Sequence, residues 1–201
     1  GDQRTEVSWD AAISAAVAHL RGRESNRVAV LGSGLCTSED NYALVRLGHE
    51  LLGTTVCDLL PHEDPRFADT LLRQADRHPN TRGARLAGMV SASAERDTAA
   101  LLAELRAGAY DVLLIADSEA AQVPGFIEAL GDSLVVIGLL THAGPVADRA
   151  DVILPAAMWA ETSGVWVSGD AQAQVIRPAI VTAENERWNG GYAMSRLDRF
   201  G

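Results

Sequence analysis

Two unbroken apolar runs constrain the fold of this chain more than any other feature. Residues 111–117 read DVLLIAD and residues 134–140 read LVVIGLL. Such runs fit strands covered on both faces, because a half-exposed strand alternates apolar and polar residues. Between them, residues 123–131 indicate a short helix, with Pro124 in its first turn and Gly131 as its stop. The strand, helix and strand predict the crossover of a doubly wound α/β fold with a mostly parallel sheet, of Rossmann or flavodoxin-like layers.

The first third of the chain supplies further elements of the same kind. Ser8 is placed to cap a helix in which apolar residues recur at helical spacing up to Leu20. Residues 27–34 indicate a buried strand that runs into a glycine-bearing turn, and a second helix starts at Ser38 with a predicted buried side that includes Leu51. Residues 53–60 predict another short strand.

The remaining segments are less regular. Residues 62–89 are polar and predict mostly loop, with a short helix at residues 67–75, and residues 93–105 predict a helix. Alternation on either side of Gly169 and Asp170 predicts a C-terminal β-hairpin appended to the sheet. We therefore expect one α/β domain over residues 1–181, followed by a tail at residues 182–201.

Charge and composition exclude several classes of function. The net charge of −10 disfavours binding to nucleic acid, whose phosphates would be repelled. No apolar run approaches 18 residues, and the start of the chain lacks a basic segment followed by an apolar one. We expect a cytoplasmic protein without direct membrane insertion. Its two cysteines, Cys36 and Cys57, are too few for a four-cysteine zinc site or cluster and are expected to be reduced.

The turn at residues 32–38, which reads GSGLCTS, allows two interpretations. Glycines at a strand end followed by a helix N-terminus suit an anion, because the backbone amides point at it. The alternative is a tight turn with a helix cap. The full GxGxxG pattern and a P-loop lysine are missing, and Glu39 and Asp40 place negative charge where a phosphate would lie.

A second candidate pocket follows the strand at residues 134–140. Thr141, His142 and Asp151 come after that strand, and ligands of open α/β sheets bind at the carboxyl ends of strands. The alternative is that Thr141 and Asp151 hydrogen-bond the local turn. His19, His49 and His78 lie in segments unrelated to that of His142, and His62 has no second ligand at a useful spacing, so the sequence predicts neither a metal site nor a catalytic residue.

Several phrases together resemble one family. They are VSWDAA at residues 7–12, LGSGLCTSEDNYA at 31–43, NTRGA at 80–84, ADVILP at 150–155 and WAETSG at 159–164. In this order they resemble the molybdopterin oxidoreductase superfamily, and within it most the large G (75-kDa) subunit of bacterial NADH–quinone oxidoreductase, complex I. The resemblance covers residues 7 to about 180.

The departures from the family are as informative as the matches. Only about twenty residues lie between Leu60 and Asn80, where family members carry a long region with a second α/β domain. The iron–sulfur segment and the β-barrel domain of the family are missing from this sequence. No cysteine or serine stands in a context that matches the family's molybdenum ligand. The chain thus looks like a heavily truncated member.

The resemblance implies a cofactor-free structural or interaction subunit of a complex I-like respiratory assembly, peripheral to the inner membrane through its partners. Those partners would be other subunits of the oxidoreductase complex, or a second copy of the chain. The alternative is one pterin-binding domain of a formate-dehydrogenase-like oxidoreductase, completed by another chain, with molybdopterin guanine dinucleotide as its cofactor. Under either reading, a residual pterin or nucleotide pocket would use Gly32, Ser33, Gly34, Thr37, Thr141, His142 and Asp151.

Overall fold

A five-stranded parallel sheet forms the centre of the molecule. The computed structural model describes residues 5–90 and 97–180. The strand order is β2-β1-β3-β4-β5, and Val112 pairs in parallel with Val135, so the two apolar runs are neighbouring strands as predicted. The strands are β1 (Val28–Gly32), β2 (Cys57–Leu59), β3 (Val112–Ile115), β4 (Val135–Leu140) and β5 (Val152–Pro155).

Helices cover both faces of the sheet. They are α1 (Trp9–Leu20), α2 (Ser38–Arg46), α3 (Thr81–Leu86), α4 (Thr98–Arg106), α5 (Phe126–Ala129) and α6 (Pro145–Arg149). One core cluster joins Ile13 of α1, Leu44 of α2 and Ala84 of α3 to the sheet. The other joins Leu101 of α4 and Phe126 of α5 to the opposite face. The predicted doubly wound α/β fold is therefore confirmed.

Alternate residues of each strand pack into the two cores on opposite faces of the sheet. In β1, Val30 packs toward α1 and α2, whereas Leu31 packs toward α4 and α5, and both are fully buried. Each such side chain contributes about 1.5–3 kcal/mol relative to an exposed one. This double burial explains why the strands show no alternation of apolar and polar residues.

The predicted first helix is confirmed. The Ser8 side chain accepts a hydrogen bond from the Ala11 amide at the start of α1, and Ile13 and Ala16 are buried. The helix packs against β5, the last strand of the sheet in the chain. After α2 the chain continues as one π-helical turn at Leu47–Leu51, and there Leu51 is 48% exposed rather than part of the predicted buried side.

Two local predictions are corrected by the structure. Between β3 and β4, α5 begins only at Phe126, because Gly125 adopts a left-handed conformation (φ 81°) that interrupts the helix after Pro124. In the region predicted as loop, residues 67–75 contain no helix, and α3 (Thr81–Leu86) was missed. Helix α4 begins at Thr98; the earlier part of its predicted range, residues 93–96, and the predicted tail lie outside the described residues.

The predicted hairpin consists of β6 (Gly164–Val167) and β7 (Ala173–Ile176) and forms a separate two-stranded sheet rather than an extension of the main one. Side chains attach it to the body. Glu39 Oε2 accepts a hydrogen bond from the Val165 amide at 2.9 Å, and Asn80 Oδ1 accepts one from the Val167 amide at 2.7 Å. None of the described helices has the length and apolar character needed to cross a bilayer.

Candidate functional site

A cavity of about 140 Å³ lies at the carboxyl edge of the sheet. The ends of β1, β3 and β4 and the segment after β5 form its walls, which is where open α/β sheets bind ligands. Of the predicted site residues, Ser33, Thr141 and His142 line it. Its other lining residues include Cys36, Asp40, Glu119, Met158 and Trp159.

The turn after β1 is closed by a buried amide side chain. Asn41 is fully buried, and its Oδ1 accepts a hydrogen bond from the Ser33 amide at 3.2 Å. Its Nδ2 donates to the Ser33 carbonyl at 3.0 Å and to the Thr37 carbonyl at 2.9 Å. Gly32 is required here because a Cβ at this position would overlap Asn41 Oδ1 and crowd the Met89 side chain.

The N-terminus of α2 carries a capping box. Thr37 Oγ1 accepts from the Asp40 amide at 3.0 Å, while Asp40 Oδ2 accepts from the Thr37 amide at 3.1 Å and from its hydroxyl at 2.6 Å. Burial raises the pKa of Asp40 above its usual range, and the hydrogen bonds from Thr37 oppose this shift. A carboxyl group of the chain itself therefore occupies the helix N-terminus.

Five amides of the turn and the start of α2 are engaged within the chain. Besides those of Ser33, Thr37 and Asp40, the Leu35 amide donates to Ser33 Oγ at 3.1 Å and the Cys36 amide to the Ser33 carbonyl at 3.2 Å. Backbone groups paired in this way are not available to an incoming anion. The geometry matches the tight turn with a helix cap rather than the anion cradle.

The predicted residues Gly34 and Thr37 have packing roles. A Cβ at Gly34 would overlap the His78 side chain and Thr81 Oγ1, so glycine allows the loop that carries His78 to approach the turn. Thr37 is buried, and its side chain fills the space that a Cβ at Gly164 would need. Neither Gly34 nor Thr37 lines the cavity, so neither would contact a ligand bound there.

Thr141 and His142 follow β4 at the cavity. The Thr141 amide donates to Ser118 Oγ at 2.9 Å, and Thr141 Oγ1 lies 3.0 Å from His142 Nδ1. Ser118 follows β3, so this contact joins the ends of two adjacent strands. The hydroxyls of Ser118 and Thr141 are 3.2 Å apart.

Asp151 does not belong to this site. Helix α6 carries the chain from the carboxyl edge back to the amino edge before β5 starts, so Asp151 lies at the other end of the sheet. There its Oδ2 accepts from the Val136 amide at 2.8 Å and lies 3.3 Å from Arg149 Nη1. Arg149 Nη2 donates to the Leu134 carbonyl at 2.5 Å, so both side chains fasten the start of β4.

The two cysteines are free and poorly suited to thiolate chemistry. Burial, followed by the nearby carboxylates of Asp40 and Asp117, raises the pKa of the Cys36 thiol at the cavity wall. Burial raises the pKa of Cys57 to about 11. Only the thiolate is a strong nucleophile or metal ligand, so neither group is activated in this fold.

A cluster that sequence reasoning missed lies next to the cavity. The rings of His62 and His78 stack with their centroids 4.0 Å apart, and both side chains are buried. His62 Nε2 lies 2.7 Å from Asp117 Oδ2, and His78 Nε2 lies 3.5 Å from Glu119 Oε2. Burial, then the neighbouring His62, lowers the pKa of His78, while Asp117 and Glu119 oppose this shift.

The loop between β2 and α3 brings the two histidines together. An antiparallel bridge joins Glu63 to Asp76, and the Arg77 amide donates to the His62 carbonyl at 3.2 Å. The chain thus leaves and returns at adjacent points, with His62 and His78 on facing segments. Because this pairing depends on the path of an irregular loop, no spacing pattern in the sequence signals it. In the structure His78 nevertheless lies beside His62, for which the sequence predicts no second ligand at a useful spacing.

Comparison with known proteins identifies the family. A sequence model described as molybdopterin oxidoreductase matches residues 80–189, which is more than half of the chain. The chain belongs to the molybdopterin oxidoreductase family. Among curated proteins, none matches it significantly. The matched segment includes β3, β4, β5 and the hairpin, and hence one wall of the cavity at the carboxyl edge.

The cavity does not fit the dinucleotide form of the cofactor that gives molybdopterin oxidoreductases their name. Its volume of about 140 Å³ is below the range of about 300–1,000 Å³ typical of pockets for ligands of drug size. No lysine or arginine is among the described residues that line it, whereas Asp40 and Glu119 are. A pyrophosphate at this cavity would meet the carboxyl groups of Asp40 and Glu119.

Proposed function

We propose that this chain is a structural and interaction domain of a molybdopterin-oxidoreductase-type respiratory assembly, of the NADH–quinone oxidoreductase (complex I) kind, and that it holds no molybdopterin itself. The observation that carries the proposal is the self-capped turn after β1. Asn41 and the Thr37–Asp40 capping box engage the amides of Ser33, Thr37 and Asp40, which are therefore not free to bind a cofactor phosphate.

The electrostatics of the cavity support the same function. Asp40 and Glu119 project negative charge toward the place where an anionic cofactor would lie, and the Asp117 carboxylate is buried directly behind them. Like charges brought together in a poorly solvated site repel each other strongly. A site that must bind pyrophosphate would instead present amides or guanidinium groups.

Exposed apolar side chains support a role in assembly. In the loop between β2 and α3, Leu71 is 83% and Leu72 is 84% exposed, and Phe67 in the same loop is 45% exposed. Adjacent exposed leucines are costly in water and are typical of surfaces covered by a partner. We assign this surface to another subunit of the same oxidoreductase, which would place the chain on the cytoplasmic side, peripheral to the inner membrane.

The cofactor content of the native complex tests the proposal. The chain would be purified with its partners from a host that makes the molybdenum cofactor, and molybdenum, tungsten and pterin would be measured per chain after separation of the subunits. We expect substoichiometric amounts with this chain and iron–sulfur or flavin subunits among its partners. One molybdenum or tungsten and one pterin per chain would instead establish the pterin-binding domain of a formate-dehydrogenase-like enzyme.

A surface variant tests the assembly role separately. Replacing Leu71 and Leu72 with serine removes apolar area at two exposed positions that belong to neither core, so the domain should fold normally. We expect the double variant to lose its partner subunits during purification. The matched control is Leu86→Ser, which changes another exposed leucine (73% exposed) outside this loop. Unchanged recovery of the partners with the double variant would rule out this surface as their contact.

A further inference from the structure

The His62, His78 and Glu119 side chains bring three potential metal ligands together outside the Ser33 and Thr141 part of the cavity. One ligand atom from each lies within 4.8 Å of the others. We propose that these three side chains form a binding site for a divalent transition-metal ion of the zinc type, with Asp117 holding His62 in position.

The spacing of the ligand atoms is close to that of a coordinated ion. Zinc bonds of about 2.0–2.1 Å in a tetrahedron place the ligand atoms about 3.3 Å apart. His78 Nε2 and Glu119 Oε2 are already 3.5 Å apart. The remaining separations are at most 4.8 Å, so the ligand atoms must move closer by side-chain rotation to bind one ion.

An unsatisfied nitrogen points independently to a ligand. His78 Nε2 is buried and has no hydrogen-bond partner within the described residues. A buried polar atom without a partner costs about 1–3 kcal/mol, so such atoms are rare and call for a bound group. A metal ion that accepts the lone pair of this nitrogen satisfies it.

The Asp117 carboxylate supplies the surrounding support that metal sites use. It is fully buried, its Oδ2 lies 2.7 Å from His62 Nε2, and its Oδ1 accepts from the Glu119 amide at 2.9 Å. The same residue thus fixes one imidazole ligand and the backbone of the carboxylate ligand. Carboxylates in this position orient metal-bound histidines and raise their basicity.

Charge and donor type select the class of ion. Two imidazoles and one carboxylate suit zinc and neighbouring first-row metals better than calcium or magnesium, which prefer all-oxygen sites. The ion also offsets the charge of the buried Asp117 carboxylate and of the neighbouring Glu119. Among the described residues, no lysine or arginine forms an ion pair with either of them. The Glu119 side chain is 30% exposed and lines the cavity, so the ion has a path of entry and room for a water ligand on that side.

Metal titration of the whole chain, prepared without a histidine tag and treated with a chelator, tests the site. We expect isothermal titration with Zn²⁺ to show one saturable site per chain, and Co²⁺ to give the intense visible absorption of a four-coordinate ion. His78→Ala and Glu119→Gln should each weaken binding by about tenfold or more, and Asp117→Asn by about 10–100-fold with unchanged stoichiometry. The control His49→Ala, at an exposed histidine on the π-helical turn, should bind as the original chain does.

Two results would overturn the proposal. One is the absence of saturable Zn²⁺ or Co²⁺ binding by the folded original chain. The other is unchanged affinity in Glu119→Gln, whose partly exposed side chain can be replaced without disturbing the core, as verified by far-ultraviolet circular dichroism. Because none of these measurements involves molybdenum, a negative outcome here would leave the proposed structural function standing.

Discussion

The Asn41 side chain and the Ser33 backbone form a reciprocal pair in which each donates one hydrogen bond to the other. Asn41→Ala leaves the buried Ser33 amide without a partner, at a cost of about 1–3 kcal/mol, whereas the Ser33 carbonyl keeps the bond from the Cys36 amide. We expect the free energy of unfolding in urea to fall by about 1–3 kcal/mol. Asn26→Ala, at an exposed position, should change it by less than about 0.5 kcal/mol. Equal effects of the two substitutions would contradict this role of Asn41.

Gly83 in α3 is expected to resist a substitution that normally strengthens helices. Glycine to alanine in a helix interior usually adds about 1 kcal/mol. At Gly83, however, the new methyl group would overlap Asn80 Oδ1, the acceptor that holds the Val167 amide of the hairpin. We expect Gly83→Ala to lower the melting temperature and to increase hydrogen exchange at Val167.

Gly131→Ala is the matched control, because a Cβ at that position meets open space and its backbone is not left-handed. It should leave the melting temperature nearly unchanged. A gain in stability for Gly83→Ala would show that Asn80 can move without loss.

The buried thiol of Cys57 predicts a decline in stability at alkaline pH. Its pKa is about 11 in the folded chain against 9.0 for the free thiol, so the folded state holds the proton more tightly. The stabilisation is complete below pH 9.0 and is lost as pH rises toward 11, by about 3 kcal/mol in total. Urea unfolding between these limits should show a weaker pH dependence in Cys57→Ala. If the free energy of unfolding falls with pH equally steeply in the original chain and in Cys57→Ala, this role of Cys57 is refuted.

The same burial predicts slow chemical modification. We expect iodoacetamide to react with Cys36 and Cys57 far more slowly in the folded chain than after unfolding, because both thiols remain protonated at neutral pH. Mass spectrometry of the time course measures the difference. Rapid alkylation of folded Cys36 would reveal an activated thiol at the cavity.

The Arg27–Asp111 pair predicts an acid-dependent contribution to stability. Arg27 Nη2 lies 2.5 Å from Asp111 Oδ1, and this hydrogen bond lowers the pKa of Asp111. The contribution is therefore present above the ordinary carboxyl pKa of 3.8 and is lost as pH falls below it. Asp111→Asn should cost about 0.5–1 kcal/mol at neutral pH and flatten the acid limb of the stability curve. Asp132→Asn, at an exposed aspartate, is the control. It should change neither the free energy of unfolding at neutral pH nor the acid limb of the stability curve.

The elements predicted best were those whose signal is local. The strands at Val112 and Val135 were found because burial on both faces leaves an unbroken apolar run. The tight turn and the start of α2 near Ser38 are likewise indicated by neighbouring residues, although the capping box of Thr37 and Asp40 is seen only in the structure. Elements that depend on residues close together in the sequence can be recognised without a structure.

Features that depend on the path of the chain were missed. Asp151 was assigned to the carboxyl edge because it follows β4 in sequence, but α6 returns the chain to the amino edge before that residue. His62 and His78 meet only because a bridge at Glu63 and Asp76 closes an irregular loop. Neither the α6 connection nor the bridged loop produces a periodic pattern of residues, so the sequence gives no signal for these two chain reversals.

The packing of α1 on β5 has a consequence for synthesis of the protein. Helix α1 is synthesised well before β5, so its buried face, with Ile13 and Ala16, is not fully covered until β5 has been made. Until then the nascent chain exposes apolar surface of the kind that chaperones recognise. Folding of this domain should therefore be completed only after β5 has emerged from the exit tunnel.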